Sequence, residues 1–263
     1  MASCSSPTSG GTGNGTGGGT GGTTYIGSKA PTEPKEVGDI VFKDGSATPY
    51  ADFLGADETA GTADDTITDE QKAAAIAVIF YVGTGLNSDV NGNPDNTTSR
   101  TLGVGLKHDR NGCKWCASDS VNGYSINITK IQCTPISGDK NGSDNYEQMA
   151  AVTGINDTND LNNYPAFKFG KEYGTTNSLS APYNEGWYLP SLAELHAIYV
   201  EKTTVDAASD LCGGSQFGSG FYWSSSQYAS DDYAYVLYFS IGAWSDFYKF
   251  DGYYYVCAVR AFN

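Results

Sequence analysis

The C-terminal 43 residues of the chain, Phe221 to Asn263, combine many aromatic side chains with very few charges. They hold nine of the 19 tyrosines, and only five charged side chains lie between Phe221 and Tyr255. Aromatic residues favour strands, and the small residues at 240–243 and 251–252 are typical of tight turns. The segment therefore predicts four antiparallel strands: Phe221–Ser225, Tyr233–Phe239, Trp244–Phe250 and Tyr254–Phe262.

The same segment has the composition of binding loops. Tyrosine offers a large, stiff contact area with one polar tip, while Ser, Gly and Asp provide adaptable turns and hydrogen bonds. We therefore expect Phe247, Tyr248 and Phe250 to be exposed contact residues. Five other aromatic residues are expected to pack inside the sheet: Tyr222, Trp223, Phe239, Trp244 and Phe262.

The overall composition limits the classes of partner. With 263 residues, of which 39% are hydrophobic, the chain can bury a substantial core. Its net charge of −15 argues against a nucleic acid partner, because phosphate binding needs clustered Lys and Arg. No apolar run approaches the roughly 18 residues of a membrane span.

Residues 1–34 differ from the rest of the chain. Positions 10–24 are almost entirely Gly, Thr and Asn, a composition that predicts a flexible tether. Cys4, preceded by Ala2 and Ser3, resembles the acylated cysteine of a mature bacterial lipoprotein, and an incidental cysteine is the alternative. We expect membrane attachment through a lipidated Cys4 only.

Three local signals predict helices. Thr68–Gln71 is a capping box that predicts a helix through Phe80. Ser191–Glu194 is a second capping box, opening a helix through about Lys202. A weaker signal begins at Asp144.

The remainder of the chain predicts strands and loops. Beyond the terminal strands, we expect strands at 37–42, 101–108 and 124–131. Helices placed early, a terminal antiparallel sheet and long connections describe an α+β fold. We therefore predict a single domain over residues 35–263, with few helices, a small antiparallel sheet and long loops.

The cysteines suggest disulfides in an oxidising compartment. Without Cys4, five remain, so at least one is left over. The disulfide candidates are Cys116 with Cys133 and Cys212 with Cys257. Cys113 would then be a free or alternately paired thiol.

Two motifs raise the question of a metal or redox site. Cys113–Cys116 is a CxxC motif, but it lies at no strand-to-helix junction and has no second ligand pair. The alternating Asp and Asn side chains of Asp89–Asp95 resemble a calcium loop without its distal Glu. His108 and His196 are expected to be structural. We predict no catalytic residue, no metal and no cofactor.

Several motifs together resemble a known group of proteins. They are Gly186–Leu195 (GWYLPSLAEL), Tyr222–Ser226 (YWSSS), Val259–Phe262 (VRAF), Val37–Pro49 and Gln71–Tyr81. In this order they resemble bacterial domains with the C-type lectin-like fold of the formylglycine-generating-enzyme type. Among these the chain is most similar to the treponemal variable lipoproteins, which a diversity-generating retroelement alters. The resemblance spans most of residues 37–263.

That resemblance implies a variable region at about 221–256. In such systems adenines of a template copy are randomised, so an AAC codon can become a codon for any residue except Glu, Lys, Met, Gln and Trp. Between Tyr228 and Val256 only Trp244 and Lys249 fall outside this set, which predicts that they are fixed scaffold positions. The candidate ligand-binding positions are Tyr238, Ser240, Ile241, Ala243, Ser245, Asp246, Phe247, Tyr248, Phe250, Asp251, Gly252, Tyr253 and Tyr254.

The resemblance also implies a function. The expected protein is a ligand-binding lipoprotein on the bacterial cell surface, attached to the outer membrane, whose C-terminal face binds varied protein or glycan targets. The alternatives are an invariant surface adhesin or solute-binding lipoprotein of the same fold and, with less support, an oxidase. An oxidase would need a reactive cysteine pair, whereas only Cys257 lies in the terminal sheet. We expect a monomer.

Overall fold

The computed structural model describes residues 24–119, 126–134, 137–153 and 161–263. The described helices are α1 (Asp69–Ala74), α2 (Asn145–Thr153), α3 (Pro165–Lys171), α4 (Tyr173–Thr176), α5 (Leu192–Val200) and α6 (Lys202–Leu211). The described strands are β1 (Asp39–Phe42), β2 (Ala47–Pro49), β3 (Ala75–Gly83), β4 (Arg100–Gly105), β5 (Asp109–Cys113), β6 (Cys133–Thr134), β7 (Ser137–Gly138), β8 (Trp187–Tyr188), β9 (Phe221–Gln227), β10 (Tyr233–Tyr238), β11 (Ala243–Tyr248), β12 (Tyr254–Val256) and β13 (Val259–Ala261).

A six-stranded antiparallel sheet has the order β2-β1-β3-β4-β13-β8. Its strand β3 was predicted as a continuation of the first helix, and that prediction is wrong. α1 begins after the Thr68 capping box as expected, but Ala75 adopts the extended backbone and ends it. The apolar run Ile76–Phe80 then pairs with β1 and β4 and is buried on both faces.

The second large sheet has the order β11-β10-β9-β12-β5. Its strands β9, β10 and β11 form the predicted antiparallel meander, whereas β12 runs parallel to β9. The single strand predicted over 254–262 is therefore wrong: it divides into β12 here and β13 in the six-stranded sheet. Cys257 and Ala258, fully buried between these strands, carry the chain from one sheet to the other.

The five-stranded sheet lies between two apolar clusters, which we call the first core and the second core. The first core includes Leu192 and Leu195 of α5 and Tyr222 and Leu237 of the sheet. The second core lies on the opposite face. Its largest members are Trp115, Tyr164, Phe167 and Trp223. Because both faces are covered, the middle of the sheet is buried. Strand β11 lies at one edge of this sheet.

A buried ion pair fixes α5 against the six-stranded sheet. The Ser191 capping box places Glu194 at N3, and Glu194 Oε1 accepts hydrogen bonds from Arg100 Nη1 and Tyr188 Oη, each at 2.9 Å. Arg100 also donates from Nη2 to Tyr188 Oη at 2.7 Å. Because this charge is both paired and hydrogen-bonded, its burial is tolerated.

Three consecutive serines of β9 join this strand to its neighbours. Ser224 Oγ donates to the Tyr235 carbonyl at 2.9 Å, Ser225 Oγ accepts from Asn145 Nδ2 at 2.8 Å, and Ser226 Oγ accepts from the Leu192 backbone at 2.9 Å. All three serines are buried, so the hydrogen bonds satisfy groups that water cannot reach. They hold β9 rigidly beneath the terminal hairpin.

The N-terminal part of the domain starts earlier than predicted. Residues 24–34 were assigned to the tether, but Lys29 pairs with Ala47 in a backbone bridge and its Nζ lies 2.8 Å from Asp39 Oδ2. Gln71 also donates from Nε2 to the Ile26 carbonyl at 3.3 Å. These residues belong to the domain, while Cys4 and the Gly/Thr-rich stretch up to residue 23 lie outside the described residues.

The architecture confirms the predicted mixture of few helices and mainly antiparallel sheets. The strand predicted at 124–131 is wrong in its described part, because residues 126–128 are irregular and Thr129–Ile131 form a 3-10 helix. Tyr124 and Ser125 lie outside the described residues. None of the helices in the described part of the chain has the length and apolar character of a membrane span.

Candidate functional site

The predicted ligand-binding positions occupy the hairpin β10–β11, its turn and the connection to β12. Each of the thirteen residues is exposed or half-buried, and none belongs to the buried core. Among the large hydrophobic side chains of this set, Ile241 and Tyr253 are the most exposed, at 65% and 68%. The expectation of exposure is confirmed for Tyr248, whereas Phe247 and Phe250 are half-buried against the second core.

The hairpin turn is held in place by a glycine. Gly242 has a φ of 69° and donates its backbone N–H to the Tyr238 carbonyl at 2.9 Å. A Cβ at this position would lie 2.2 Å from the Tyr199 ring of α5, so the turn requires glycine. Ser240 and Ile241 are therefore presented at the surface by a turn that rests on α5.

Strand alternation divides the candidate residues between the two faces of the hairpin. Tyr238 pairs with Ala243 and Val236 with Ser245, so Ala243, Ser245 and Phe247 share one face. Trp244, Asp246 and Tyr248 occupy the other face. The candidate residues therefore do not form a single recognition face. Because β11 is an edge strand, both faces remain accessible along it.

Four half-buried rings form what we call the aromatic cluster: Phe221, Tyr238, Phe247 and Tyr254. Phe221 stacks on Tyr238 with ring centroids 4.5 Å apart, and Phe247 lies 4.8 Å from Tyr254. Phe221 is 5.7 Å from both Phe247 and Tyr254, which closes the group. Beneath it, Trp223 meets Tyr254 edge-to-face at 4.9 Å. The cluster offers flat aromatic surface with two phenol hydroxyls.

The opposite face of the hairpin also carries aromatic side chains. Tyr233 and Tyr248, directly paired across the strands, have ring centroids 4.3 Å apart. Trp244 is 46% exposed and meets His196 of α5 edge-to-face at 6.2 Å. The prediction that Trp244 packs inside the sheet is wrong, because its edge position leaves one side of the indole uncovered. The other four aromatic residues expected inside are buried: Tyr222, Trp223, Phe239 and Phe262.

Lys249 anchors the connection from β11 to β12. Its side chain is fully buried, with Nζ 5.0 Å from the Trp115 ring centroid and donating to the Asp231 carbonyl at 2.6 Å. Its backbone carbonyl accepts from the Cys116 N–H at 2.9 Å. Burial lowers the pKa of Lys249 to about 8, although the neighbouring Cys116 and Asp232 oppose the shift. This one residue ties the loop to the second core.

The loop that follows Lys249 leaves its own side chains accessible. Lys114 Nζ lies 5.8 Å from the ring centroids of both Phe250 and Tyr253, within cation–π distance. Gly252 has a φ of 77°, a conformation that Gly and Asn tolerate best. Of the candidate positions, Gly252 is thus the one at which the backbone restricts the choice of residue.

Sequence reasoning missed three residues of this surface: Phe221, Lys114 and His196. Phe221 was visible only as the first residue of a strand, and its pairing with Tyr238 depends on the register of β9 and β10. Lys114 and His196 are distant in sequence from the hairpin, and no local pattern connects them to it. They reach the site through β5 and α5.

The two predicted disulfides are not formed. Cys116, Cys212 and Cys257 are free thiols, and Cys116 belongs to the second core while Cys133 belongs to the first. Cys113, expected to be free or alternately paired, is also a free thiol. Burial raises the pKa of Cys113 and of Cys116 to about 12, so the CxxC sulfurs stay protonated at neutral pH.

The described residues contain no group of three or more His, Cys, Asp or Glu arranged to hold a metal ion. In the Asp89–Asp95 loop the carboxylates accept backbone N–H groups of their own turn. Asp89 accepts from Asn91 at 2.8 Å, and Asp95 accepts from Thr97 at 2.8 Å. Such hydrogen bonds are those of ordinary Asx turns.

A scan against models of known protein families finds no match for this chain. A search among curated proteins likewise finds no match. The site is an accessible, largely aromatic surface on the five-stranded sheet.

Proposed function

We propose that this chain is a surface-displayed, ligand-binding lipoprotein of C-type lectin-like fold, whose C-terminal face is diversified by a retroelement. The observation that carries the proposal is the accessibility of all thirteen candidate positions. Of the residues interleaved with them, Phe239, Gly242 and Lys249 are buried, whereas Trp244 is exposed. Side chains can therefore be exchanged at the surface while the supporting residues stay the same.

Recognition would be noncovalent and would require no cofactor. The aromatic cluster offers stiff apolar area, and its Tyr238 and Tyr254 hydroxyls can hydrogen-bond to a ligand. Asp246 and Asp251 add negative charge, and Lys114 adds a positive charge beside Tyr253. Rings of this type dominate binding energy in protein interfaces, so the partner we propose is a protein or a glycan.

Of the two residues that adenine-directed mutagenesis cannot produce, Lys249 supports the proposal, whereas Trp244 lacks the buried position expected of a scaffold residue. Lys249 is fully buried and has the structural role expected of a fixed scaffold residue. Trp244 is exposed beside Asp246 and Tyr248, so we assign it as a constant aromatic contact within a variable surface. Every variant would then share one anchoring ring.

An oxidase is less well supported by the cysteine environment. Cys257 is fully buried and its thiol pKa is raised far above the ordinary value by burial. A nucleophilic or redox thiol has to be an accessible thiolate. We therefore assign Cys257 a structural role rather than a catalytic one.

The test between a diversified protein and an invariant adhesin is genomic. If the proposal is correct, the DNA beside the gene holds a near-copy of the segment encoding residues 221–256, differing mainly at adenines, together with a reverse transcriptase gene. Finding the gene without any such repeat would contradict diversification, and the invariant adhesin or solute-binding lipoprotein would then be favoured.

A library experiment tests the binding surface itself. The codons of the twelve candidate positions other than Gly252 are replaced by NNC, and the fraction of folded variants is measured by protease resistance on a display system. The matched library randomises the same number of buried positions. We expect most members of the first library to stay folded and to yield binders to unrelated proteins, and few members of the second to fold. Similar losses in both libraries would contradict the proposal.

Attachment and display have a separate test. When the chain is expressed behind a bacterial lipoprotein export signal, the wild type should incorporate a radiolabelled fatty acid, and Cys4→Ser should not. The domain should also be cleaved by protease added to intact cells. Labelling that persists in the Cys4→Ser variant would remove Cys4 as the lipidation site without affecting the proposal for the binding surface.

A further inference from the structure

A second concave surface lies apart from the terminal hairpin. It is a cleft of about 620 Å³ between the start of β3, the end of β4, the segment after α4 and the residues that follow α6. Three lysines border it: Lys43, Lys72 and Lys107. We refer to it as the lysine cleft, and its volume is in the range of sites for small organic molecules.

The charge of the lysine cleft contrasts with that of the whole chain. The protein has 30 acidic residues against 15 Lys and Arg, yet no Asp or Glu is among the residues that line the cleft. All three lysines are exposed, and none forms an ion pair with another described residue. Three unpaired positive charges thus point to an anionic ligand.

The walls of the cleft supply apolar area and rigidity. Ile76 and Leu106 are buried side chains of the wall, and Tyr173 packs edge-on against Phe169 at 5.9 Å. The Tyr173 hydroxyl accepts the Lys107 backbone N–H at 3.0 Å, which fixes the wall beside one lysine. Cys212 and Lys72 both lie in the wall.

We propose that the lysine cleft binds a small organic anion with an apolar body, such as an aromatic carboxylate, sulfonate or phosphate ester. Lysine ammonium groups are mobile point charges, so they accept each of these anionic groups. The Gly/Thr-rich segment 1–23 contains no Asp or Glu and therefore lacks the charge that the cleft would recognise. This ligand site is independent of the aromatic cluster and of its proposed partners.

The test uses two fluorescent probes that differ by one charge. Anilinonaphthalene sulfonate is an apolar anion, and N-phenyl-1-naphthylamine is the same ring system without the sulfonate. Each is titrated against the wild type, the triple variant Lys43→Gln, Lys72→Gln, Lys107→Gln, and a control in which Lys130, Lys140 and Lys171 are changed to Gln. The two variants change the net charge equally, and circular dichroism confirms that both are folded.

We expect the cleft variant to bind the sulfonate probe at least about tenfold more weakly than wild type, with the control variant within about twofold. Binding of the sulfonate probe should also weaken with added salt, while the uncharged probe should bind all three proteins alike. Methyl resonances of Ile76 and Leu106 should shift when the sulfonate probe binds.

Three outcomes would overturn the assignment. If both variants lost the same affinity for the sulfonate probe, net charge alone would explain the effect. If the cleft variant lost the same affinity for both probes, apolar binding alone would explain it. Loss of sulfonate binding in Phe247→Ala, with unshifted Ile76 and Leu106 methyls, would place the probe at the aromatic cluster instead.

Discussion

Strands β9 and β11 are both neighbours of β10 and both rich in aromatic residues, yet they have opposite environments. In β9, the residues from Tyr222 to Gln227 are all buried, with Tyr222 in the first core and Trp223 in the second. In β11, no residue is fully buried. Aromatic content alone therefore does not separate buried framework from exposed surface; the position of the strand in the sheet does.

The difference arises from what each strand meets. β9 has β10 on one side and β12 on the other, and its serines bond to α5 and Asn145. β11 has only β10 beside it, so its outer edge and parts of both faces stay open. Side chains are exchanged most easily on such an edge strand, because a changed residue there disturbs only one neighbouring strand.

The largest expected contrast is between two tryptophans on these strands. Trp223→Ala removes a fully buried ring and its 2.9 Å hydrogen bond to the Cys113 carbonyl, and should cost about 3–5 kcal/mol. Trp244→Ala removes a half-exposed ring and should cost less than about 1 kcal/mol. Urea unfolding followed by circular dichroism measures both, and equal losses would refute the comparison.

Lys249 gives the next largest effect, through pH. Its pKa is about 8 in the folded protein and 10.5 in the unfolded chain, so between these values the unfolded state binds more protons. Stability should therefore rise with pH across this interval, by about 2–3 kcal/mol between pH 7 and pH 10 relative to Lys249→Met. Subtracting the free energy of unfolding of Lys249→Met at each pH removes the contribution of tyrosine titration, which both proteins share. A difference that does not change with pH would show that Lys249 is not buried as a charged group.

A smaller effect is expected within the aromatic cluster. Phe247→Ala removes a half-buried ring that contacts Phe221 and Tyr254, and should cost about 1–2 kcal/mol. Tyr253→Ala, at a side chain 68% exposed, should cost less than about 0.5 kcal/mol. Chemical denaturation ranks the two, and the reverse order would mean that the cluster contributes nothing to the framework.

The smallest stability effects should belong to the most accessible positions. Ile241→Ser and Ser245→Tyr should each change the free energy of unfolding by less than about 0.5 kcal/mol. The same substitutions in a binder selected from the library should weaken binding, by up to about tenfold for a contact residue. Calorimetric titration with the selected target checks this. Large losses of stability at either position would assign these residues to the framework.

The sequence predicted best what depends on local chemistry. Helices α1 and α5 begin at the capping boxes of Thr68 and Ser191 because each box satisfies backbone N–H groups within one turn. The turn at 240–243 is also determined locally, because it depends on Gly242 and its positive φ. The candidate positions themselves came from the family resemblance; composition predicted exposure for Phe247, Tyr248 and Phe250, of which Tyr248 is exposed and the other two are half-buried.

The failures come from pairing between distant segments. Ala75–Gly83 is compatible with both a helix and a strand, and the choice is made by β1 and β4 on either side. The division of 254–262 into two strands depends likewise on β9 and β4, which supply the two sheets. Nothing adjacent to Trp244 in sequence indicates that it lies at an edge.

The position of β13 limits which changes in the gene the fold can accept. This strand follows the segment that we propose to be variable, yet it lies between β4 and β8, and the Phe262 N–H after it donates to the Thr101 carbonyl at 2.8 Å. A gene copy that shifts frame or stops early within the segment would lose this inner strand and could not complete the sheet. If the segment is diversified as we propose, folding itself would discard copies that are frameshifted or truncated.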